Sequence, residues 1–395
     1  MKHTRSVRRL VAALTVAGLV AVPLAVSGAA DAKPKNPPGK PVTVMTRNLY
    51  LGADINRPVL AAATAQAQGK TGPEIVVALA NATYVSRANV DKTDFRVRAG
   101  LLADEIVANE PDLVGLQEVA WWRHGELQLG QVGVPNADIT DYDFLQLLLD
   151  ALAARGATYD AVSIAPRADV EAPSFTGGGS ADARDVRLTM RDVVLAHVED
   201  GLRVTGEGQA VYAVNLAVPV LTNVIRFDRG YQWVDVRAGA TRFRFVNTHL
   251  EAFGSDIALA QATQLLAEAP AKDRSTVLVC DCNSDPLNST TKPGDTVPHK
   301  AAYDLVTGRG DFTDEWLEWA PAEQGWTSGL SELVNDPTAA RFDHRIDMVF
   351  GRTAGGDPLA VDRGRVTGTT VDTKDPATGL WPSDHGGVVL RLRGL

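Results

Sequence analysis

The sequence predicts a layered α/β (α+β) fold, with helices packed on a mixed sheet or sheet pair, on three grounds. Helical stretches alternate with short apolar runs, as where Phe95 to Val107 precedes Leu113 to Leu116. Four apolar runs end in polar residues while two others begin with them, so those two run antiparallel if all the polar ends meet. The 395 residues are 45% hydrophobic and 22% charged, enough for a large core and unlike a disordered or fibrous chain.

Residues 1–32 read as a secretory signal peptide. Lys2, Arg5, Arg8 and Arg9 precede an apolar stretch from Leu10 to Val26, and small residues ending in Ala30-Asp31-Ala32 place cleavage after Ala32. An uncleaved anchor is the alternative, but Thr15, Gly18 and Pro23 interrupt the stretch. Arg8-Arg9 resembles a twin-arginine pair in a poorly fitting context, so the export route stays open. Residues 33–40 form a Pro- and Lys-rich linker, and one catalytic domain is expected over 41–395.

The first strand is expected at Val42 to Met45, ending at Arg47-Asn48, with residues 57–108 largely helical. Phe95, Val97, Leu101, Leu102, Ile106 and Val107 share a face behind a cap at Thr93 or Asp94, and this helix should pack on a sheet. Pro111 ends it, and Leu113 to Leu116 stops at Gln117-Glu118. Later strands are expected at Ala161 to Ile164, Asp192 to His197, Val211 to Val214, Tyr231 to Arg237, Arg242 to Asn247, Thr276 to Cys280, Asp347 to Phe350 and Val388 to Leu392. Asp143 to Arg155 and Ile257 to Ala269 read as helices. Ser174 to Ser180 and Ser284 to Pro298 read as flexible loops.

Without residues 1–32 the chain keeps 35 basic and 47 acidic residues, a net charge of −12. That disfavours a wide basic surface gripping nucleic acid through many phosphates, and is compatible with a substrate held through a metal ion. The two cysteines, Cys280 and Cys282, give no disulfide framework. Two apart on an extended strand they sit near the upper limit for a bridge, so two buried thiols are expected.

Six segments carry acidic, amide or imidazole residues at the edges of apolar runs: TRNLY (Asn48), GLQEV (Glu118), NTHLE (His249), CDCNSDP (Asp281, Asn283), RIDMVF (Asp347) and SDHGG (Asp384, His385). This inventory suits metal-assisted attack on a phosphate ester, which needs its charge neutralised, a water deprotonated and a leaving alkoxide stabilised. In this order, the six motifs resemble those of the endonuclease/exonuclease/phosphatase superfamily over about Val42 to Leu392. The resemblance implies a four-layered sandwich of two packed mixed sheets flanked by helices.

It also implies a divalent-metal-dependent phosphoric ester hydrolase. Glu118 is the first choice of ligand for Mg²⁺ or Mn²⁺, hard ions that take carboxylate oxygens. Asn48 reaches the metal or a phosphate oxygen, and Asp384 is a second ligand, direct or through water. By the same resemblance Asp281 orients or deprotonates the water and Asn283 binds phosphate. His385 contacts phosphate with Asp347 fixing its tautomer, and His249 contacts phosphate or protonates the leaving group. The bland readings are a loop-capping Glu118, a turn at Asn48, a structural Asp347–His385 pair and an ordinary hydrogen-bonded His249. Cys280 stands where the superfamily usually has glycine, and Glu251 has no assignable role.

Trp121-Trp122-Arg123 either flanks the metal and stacks on substrate or anchors a loop. Trp316, Trp319 and Trp326 form a substrate rim or a satellite core. Arg184, Arg187 and Arg191 either face a phosphate or, the safer reading, form surface ion pairs with Asp182, Asp185 and Asp192. The expected function is a secreted, monomeric phosphodiesterase without stable membrane insertion, leaning to an extracellular nuclease. A phospholipid or sphingomyelin head-group hydrolase or phosphatase is the alternative, although no long apolar hairpin of the sort a membrane lipase needs is evident. A non-catalytic secreted binding protein on the same scaffold would show a broken constellation.

Overall fold

The computed structural model describes residues 40–176, 182–198, 201–220 and 223–395. The expected signal and linker lie outside them apart from Lys40, as does most of the Gly-rich loop around residue 178. Folding begins with β1 (Val42–Asn48), α1 (Asn56–Ala67), α2 (Gly72–Lys92), α3 (Phe95–Asn109) and β2 (Leu113–Gln117). β3 (Trp121–Glu126) and β4 (Ile139–Asp143) lead to α4 (Phe144–Ala153), β5 (Tyr159–Ser174) and β6 (Arg184–His197). β7 (Leu202–Val211), β8 (Leu216–Val220), β9 (Asn223–Phe227), β10 (Gly230–Ala238) and β11 (Thr241–His249) follow. α5 (Ser255–Glu268), β12 (Ser275–Asp281), α6 (Ala301–Gly308), β13 (Thr313–Asp314), α7 (Glu315–Trp319), β14 (Asp347–Arg352), β15 (Ala360–Thr367) and β16 (Gly387–Arg393) complete the chain.

Local chemistry sets the helix ends. Glu74 accepts from the Thr71 backbone N–H at 2.9 Å, half of a capping box that starts α2. Asp94 accepts from the Arg96 N–H at 3.1 Å and Asp143 from the Leu145 N–H at 3.1 Å, which start α3 and α4. α3 stops at Glu110, in the left-handed region ahead of Pro111.

One sheet has eight strands, in the order β15-β16-β1-β2-β6-β3-β4 with β5 on β6; the other has six, in the order β13-β14-β12-β11-β10-β7. β1 runs parallel to β2 and β11 to β12, while β16 is antiparallel to β1 and β14 to β12. The two strands preceded by or starting in polar residues therefore run opposite to the others, as the sequence predicts. Both sheets are mixed.

Three apolar clusters make four layers. Leu102, Ile106, Phe144 and Leu148 pack on Met45, Val114 and Leu195 of the first sheet. Val44, Leu113 and Val194 meet Phe245, Val277 and Val349 between the sheets, and Ala262, Leu265 and Val306 cover Val246, Leu278 and Phe350 on the far side. The sheets approach closely at Gly115, where a Cβ would stand 2.4 Å from Val279 and 2.7 Å from the Asn247 amide oxygen. Beside it Gln117 donates to Asn247 at 2.7 Å, and Asn247 donates to the Leu116 carbonyl at 3.0 Å. This clasp fixes the spacing of the two sheets.

Some expectations fail. Val211 to Val214 is not a strand: β7 ends at Val211, and Tyr212 turns away with its N–H on the Arg229 carbonyl. β7, with its Gly- and polar-rich alternation, lacks the apolar signature that marks buried strands. The β8–β9 pair is a short hairpin outside the expected strands. On α3, Val97, Leu101 and Val107 are only partly buried, while Arg98 and Glu105 share the buried face with Phe95, Leu102 and Ile106. No helix among the described residues is long and apolar enough to cross a membrane.

Two tests follow from this packing. Gly115→Ala overpacks the sheet interface and should cost about 1–3 kcal/mol, read as a lower urea midpoint at unchanged slope. Glu315 is fully buried, with one oxygen accepting from the Leu359 N–H and the other unpaired. Burial pushes its carboxyl up to about 8. The folded chain therefore holds this proton more tightly than the unfolded one, so the contribution is full below the ordinary glutamate range and is lost as pH rises to about 8. Glu315→Gln should stabilise the protein relative to wild type increasingly across that window, by roughly 2–4 kcal/mol at its upper end, measured by denaturation at several pH values.

Candidate active site

The C-terminal ends of β1, β2, β11 and β12 and the N-terminal ends of β14 and β16 open on one edge of the sandwich. Register places His249 opposite Asp281, and Asp281 opposite Asp347. Asn48 stands opposite Gln117, one residue before Glu118. Strand pairing thus gathers the segments in two groups of three, one on each sheet, and side-chain contacts join the groups.

Hydrogen bonds join them. The Asn48 amide donates to Asp281 at 2.9 Å, and its oxygen accepts from the Tyr50 N–H at 2.8 Å. Asp281 also accepts from the Asn283 N–H at 3.1 Å, and the Asn283 amide donates to the Leu250 carbonyl at 3.0 Å. Glu118 accepts from the Leu51 N–H at 2.8 Å. His385 Nδ1 lies 2.8 Å from Asp347, while its Nε2 is 3.8 Å from both Asp281 and Asp384. The Asp347–His385 pair read from the sequence is present. Glu118, Asn283 and Tyr50 all have positive φ, a conformation that non-glycine residues hold only where surroundings impose it.

The electrostatics separate the two imidazoles. Burial opposes charge on His385, but Asp347, Asp384 and Asp281 hold it well above the usual histidine range. Burial, Arg229 and His385 push His249 well below that range, leaving it neutral. Burial, against the pull of His385 and with the push of Asp347, lifts Asp281 to about 7. Burial likewise lifts Asp384 to about 6, against His385 and with Glu118 adding to the rise. Burial therefore works against the ionisation of two carboxyl groups that share this site.

This donor set fits a hard divalent cation, and a buried Asp347 oxygen has no hydrogen-bond partner. The ligand atoms of Asp281, Asp347 and His385 lie within 4.8 Å of one another. Two of those three groups are already hydrogen-bonded to each other, which disfavours that trio as the primary ligand set. Glu118 and Asp384 add two further carboxylates, close enough for Glu118 to raise the charge cost of Asp384.

Arg229 was missed in the sequence. It is buried, its Nη1 lies 2.7 Å from His249 Nδ1, and its Nε has no hydrogen-bond partner. His249 Nε2 in turn lies 3.4 Å from Asp281, so the guanidinium sits beside the site, suited to a phosphate oxygen. The only sequence signal is its place just before β10, opposite the end of β11. Arg98 was also passed over. Fully buried on α3, it donates to the carbonyls of Thr93, Leu49, Tyr50 and Pro382, tying the loop after Asn48 to the loop before Asp384. Arg47, paired with Glu105 at 3.0 Å, donates to the His385 carbonyl.

Around the edge, several expectations change. Cys280 and Cys282 form a disulfide, where two thiols were expected. β12 ends at Asp281, so Cys282 lies in the turn and the Cα–Cα distance contracts to 5.1 Å. Trp122 is an anchor, buried with its indole N–H on the Leu51 carbonyl at 2.8 Å. Trp121 faces the other way, with Arg123 3.9 Å and Arg191 5.7 Å from its ring centroid. Arg187 pairs with Asp169 and Arg191 with Asp143, at 2.5 and 2.6 Å, rather than with the sequence-adjacent aspartates. Trp316 is core, while Trp319 and Trp326 are 41% and 42% exposed and line one groove with Phe342 and Arg365.

No protein-family model matches the chain, and no curated protein matches its sequence. Among solved structures, an endonuclease/exonuclease/phosphatase family protein from Bacteroides thetaiotaomicron superposes with a TM-score of 0.50 at 16% identity, covering 91% of this chain and 99% of that one. A mannosyl-6-phosphatase from the same organism gives 0.49 at 16% identity, covering 89% and 99%. A family protein from Leptotrichia buccalis gives 0.46 at 15% identity, again covering 89% and 99%. The chain has the endonuclease/exonuclease/phosphatase fold.

Arg98→Met strips four buried carbonyls of their donor. It should lower stability by at least about 2 kcal/mol in urea denaturation, more than Arg98→Lys, which retains a donor.

Proposed function

We propose that this protein is a divalent-metal-dependent phosphodiesterase using Mg²⁺ or Mn²⁺. The observation that carries the reading is the meeting of the six motif segments, with their surplus of buried carboxylate, on one edge of the sandwich. Glu118 and Asp384, with Asn48, are the residues that would hold the ion. When bound, the ion supplies neutralisation of phosphate charge and stabilisation of the leaving oxygen.

The remaining groups divide the work. Asp281, fixed by Asn48 and the Asn283 N–H, orients the attacking water and takes its proton. The charged His385, held by Asp347, donates a hydrogen bond to a phosphate oxygen. Asn283 and Arg229 bind the other oxygens, and His249 contacts the phosphate on the leaving-group side.

The substrate reading leans to nucleic acid. Trp121 with its arginines, three residues after Glu118, and the Trp319–Trp326 groove with Arg365 offer aromatic faces beside cations. A phospholipid or sphingomyelin head group is the alternative, and a non-catalytic binding protein is disfavoured because every member of the constellation is present. The protein is further read as secreted, from its first 32 residues, and a disulfide suits an oxidising compartment.

Turnover of linear DNA, RNA, sphingomyelin, phosphatidylinositol phosphates and simple phosphodiesters is expected for at least one substrate with Mg²⁺, and none with EDTA. Glu118→Ala should lower kcat by at least about 10²-fold; activity surviving both treatments sinks the metal mechanism. Calorimetric Mn²⁺ titration separates the ligand sets. Glu118→Gln and Asp384→Asn should weaken binding at least about tenfold, whereas Asp347→Asn should change it only a few-fold. The reverse ranking would place the ion on Asp281, Asp347 and His385.

A further inference from the structure

We propose that the Cys280–Cys282 disulfide is a positioning element that sets the orientation of Asp281 and Asn283. The bond encloses a single residue, and that residue is Asp281. Both sulfurs lie in the apolar layer with Leu250, Met348 and Phe350, while alternation along β12 sends Asp281 to the opposite face, toward the site.

Two extended residues advance the chain by about 6.7 Å, whereas the Cα atoms of Cys280 and Cys282 are 5.1 Å apart. The bridge therefore draws the backbone in at the point where β12 ends. The turn that results is closely held: the Cys282 N–H donates to the Ile346 carbonyl at 2.8 Å, and the Leu250 N–H donates to the Asp281 carbonyl at 3.0 Å. Asn283 then adopts a φ of 44°, which aims its N–H at the Asp281 carboxylate. Without the bridge, nothing covalent prevents residue 282 from continuing the strand, which would carry Asn283 away from Asp281.

Global stability is a poor explanation for such a bond. A cross-link spanning so few residues removes little entropy from the unfolded chain, because the closed loop is already short. Its effect is concentrated on the turn. Two buried thiols would fill the same apolar space while leaving the turn held by hydrogen bonds alone.

The catalytic part of this inference rests on the phosphodiesterase reading, and the test separates the two. Thiol titration of the wild-type protein in urea should find no free thiol before reduction and two after it. Cys280→Ala/Cys282→Ala should keep its far-UV dichroism and melt within a few degrees of wild type. Hydrogen exchange at the amides of residues 282 and 283 should quicken at least tenfold, with β1 and β11 unchanged. On whichever phosphodiester the wild type cleaves fastest, kcat should fall tenfold or more with KM within twofold. The same substitutions made in Asp281→Asn/Asn283→Ala should cost little further, since the disulfide acts through those two side chains. Unchanged exchange, free thiols in the active protein, additive kinetic losses or global unfolding of the double variant would each overturn the proposal. If the wild type cleaves no phosphoester, the phosphodiesterase reading falls while the exchange experiment still decides whether the bridge holds the turn.

Discussion

Everything at the site depends on two sheets being held at one spacing and register, and a buried polar clasp does this. Gln117 and Asn247 bond across the sheet interface, with Asn247 also reaching the Leu116 carbonyl, beside Gly115 where no Cβ fits. Unlike apolar contact, which tolerates sliding, a hydrogen-bonded amide pair away from water is satisfied in one arrangement only. Glu118 lies one residue beyond one end of the clasp and His249 two beyond the other. The clasp therefore sets the distance between the groups contributed by each sheet.

A second constraint is charge. Glu118, Asp281, Asp347 and Asp384 gather at one edge, where burial disfavours the ionised forms of Asp281 and Asp384, an arrangement costly for a purely structural cluster. Part of the compensation comes from below: Arg98 and Arg47 lie on the helical side, turned to backbone carbonyls rather than to substrate. They hold the loops that carry Asn48, Asp384 and His385 while adding positive charge beneath them. The rest of the compensation fits a bound cation. Positive φ at Glu118 and Asn283 belongs to the same pattern, local strain maintained by dense surroundings.

Much of this was legible in the sequence because strand ends are local signals. An apolar run followed by Asn, Glu or Asp marks both the strand and the end that carries chemistry, and the placement of Asp347 and Asp384-His385 before their runs gave the antiparallel directions. Arg98 and Arg229 were not legible, since a buried arginine looks like a surface one until its acceptors are known. The disulfide is not legible either, because strand geometry stops applying one residue before Cys282, where β12 becomes a turn.

By itself the sequence determined the layered class, the inventory of oxygen and imidazole groups, and the polarity of the strands that deliver them. Hydrophobic periodicity and residue chemistry are properties of short segments, so no partner is needed to read them. Only the tertiary structure decided which aspartate faces which histidine, that Trp122 anchors while Trp121 stacks under arginines, and that the two sulfurs bridge across Asp281. Those outcomes depend on contacts between residues far apart in the chain, or on the point where a strand bends. Packing sets both.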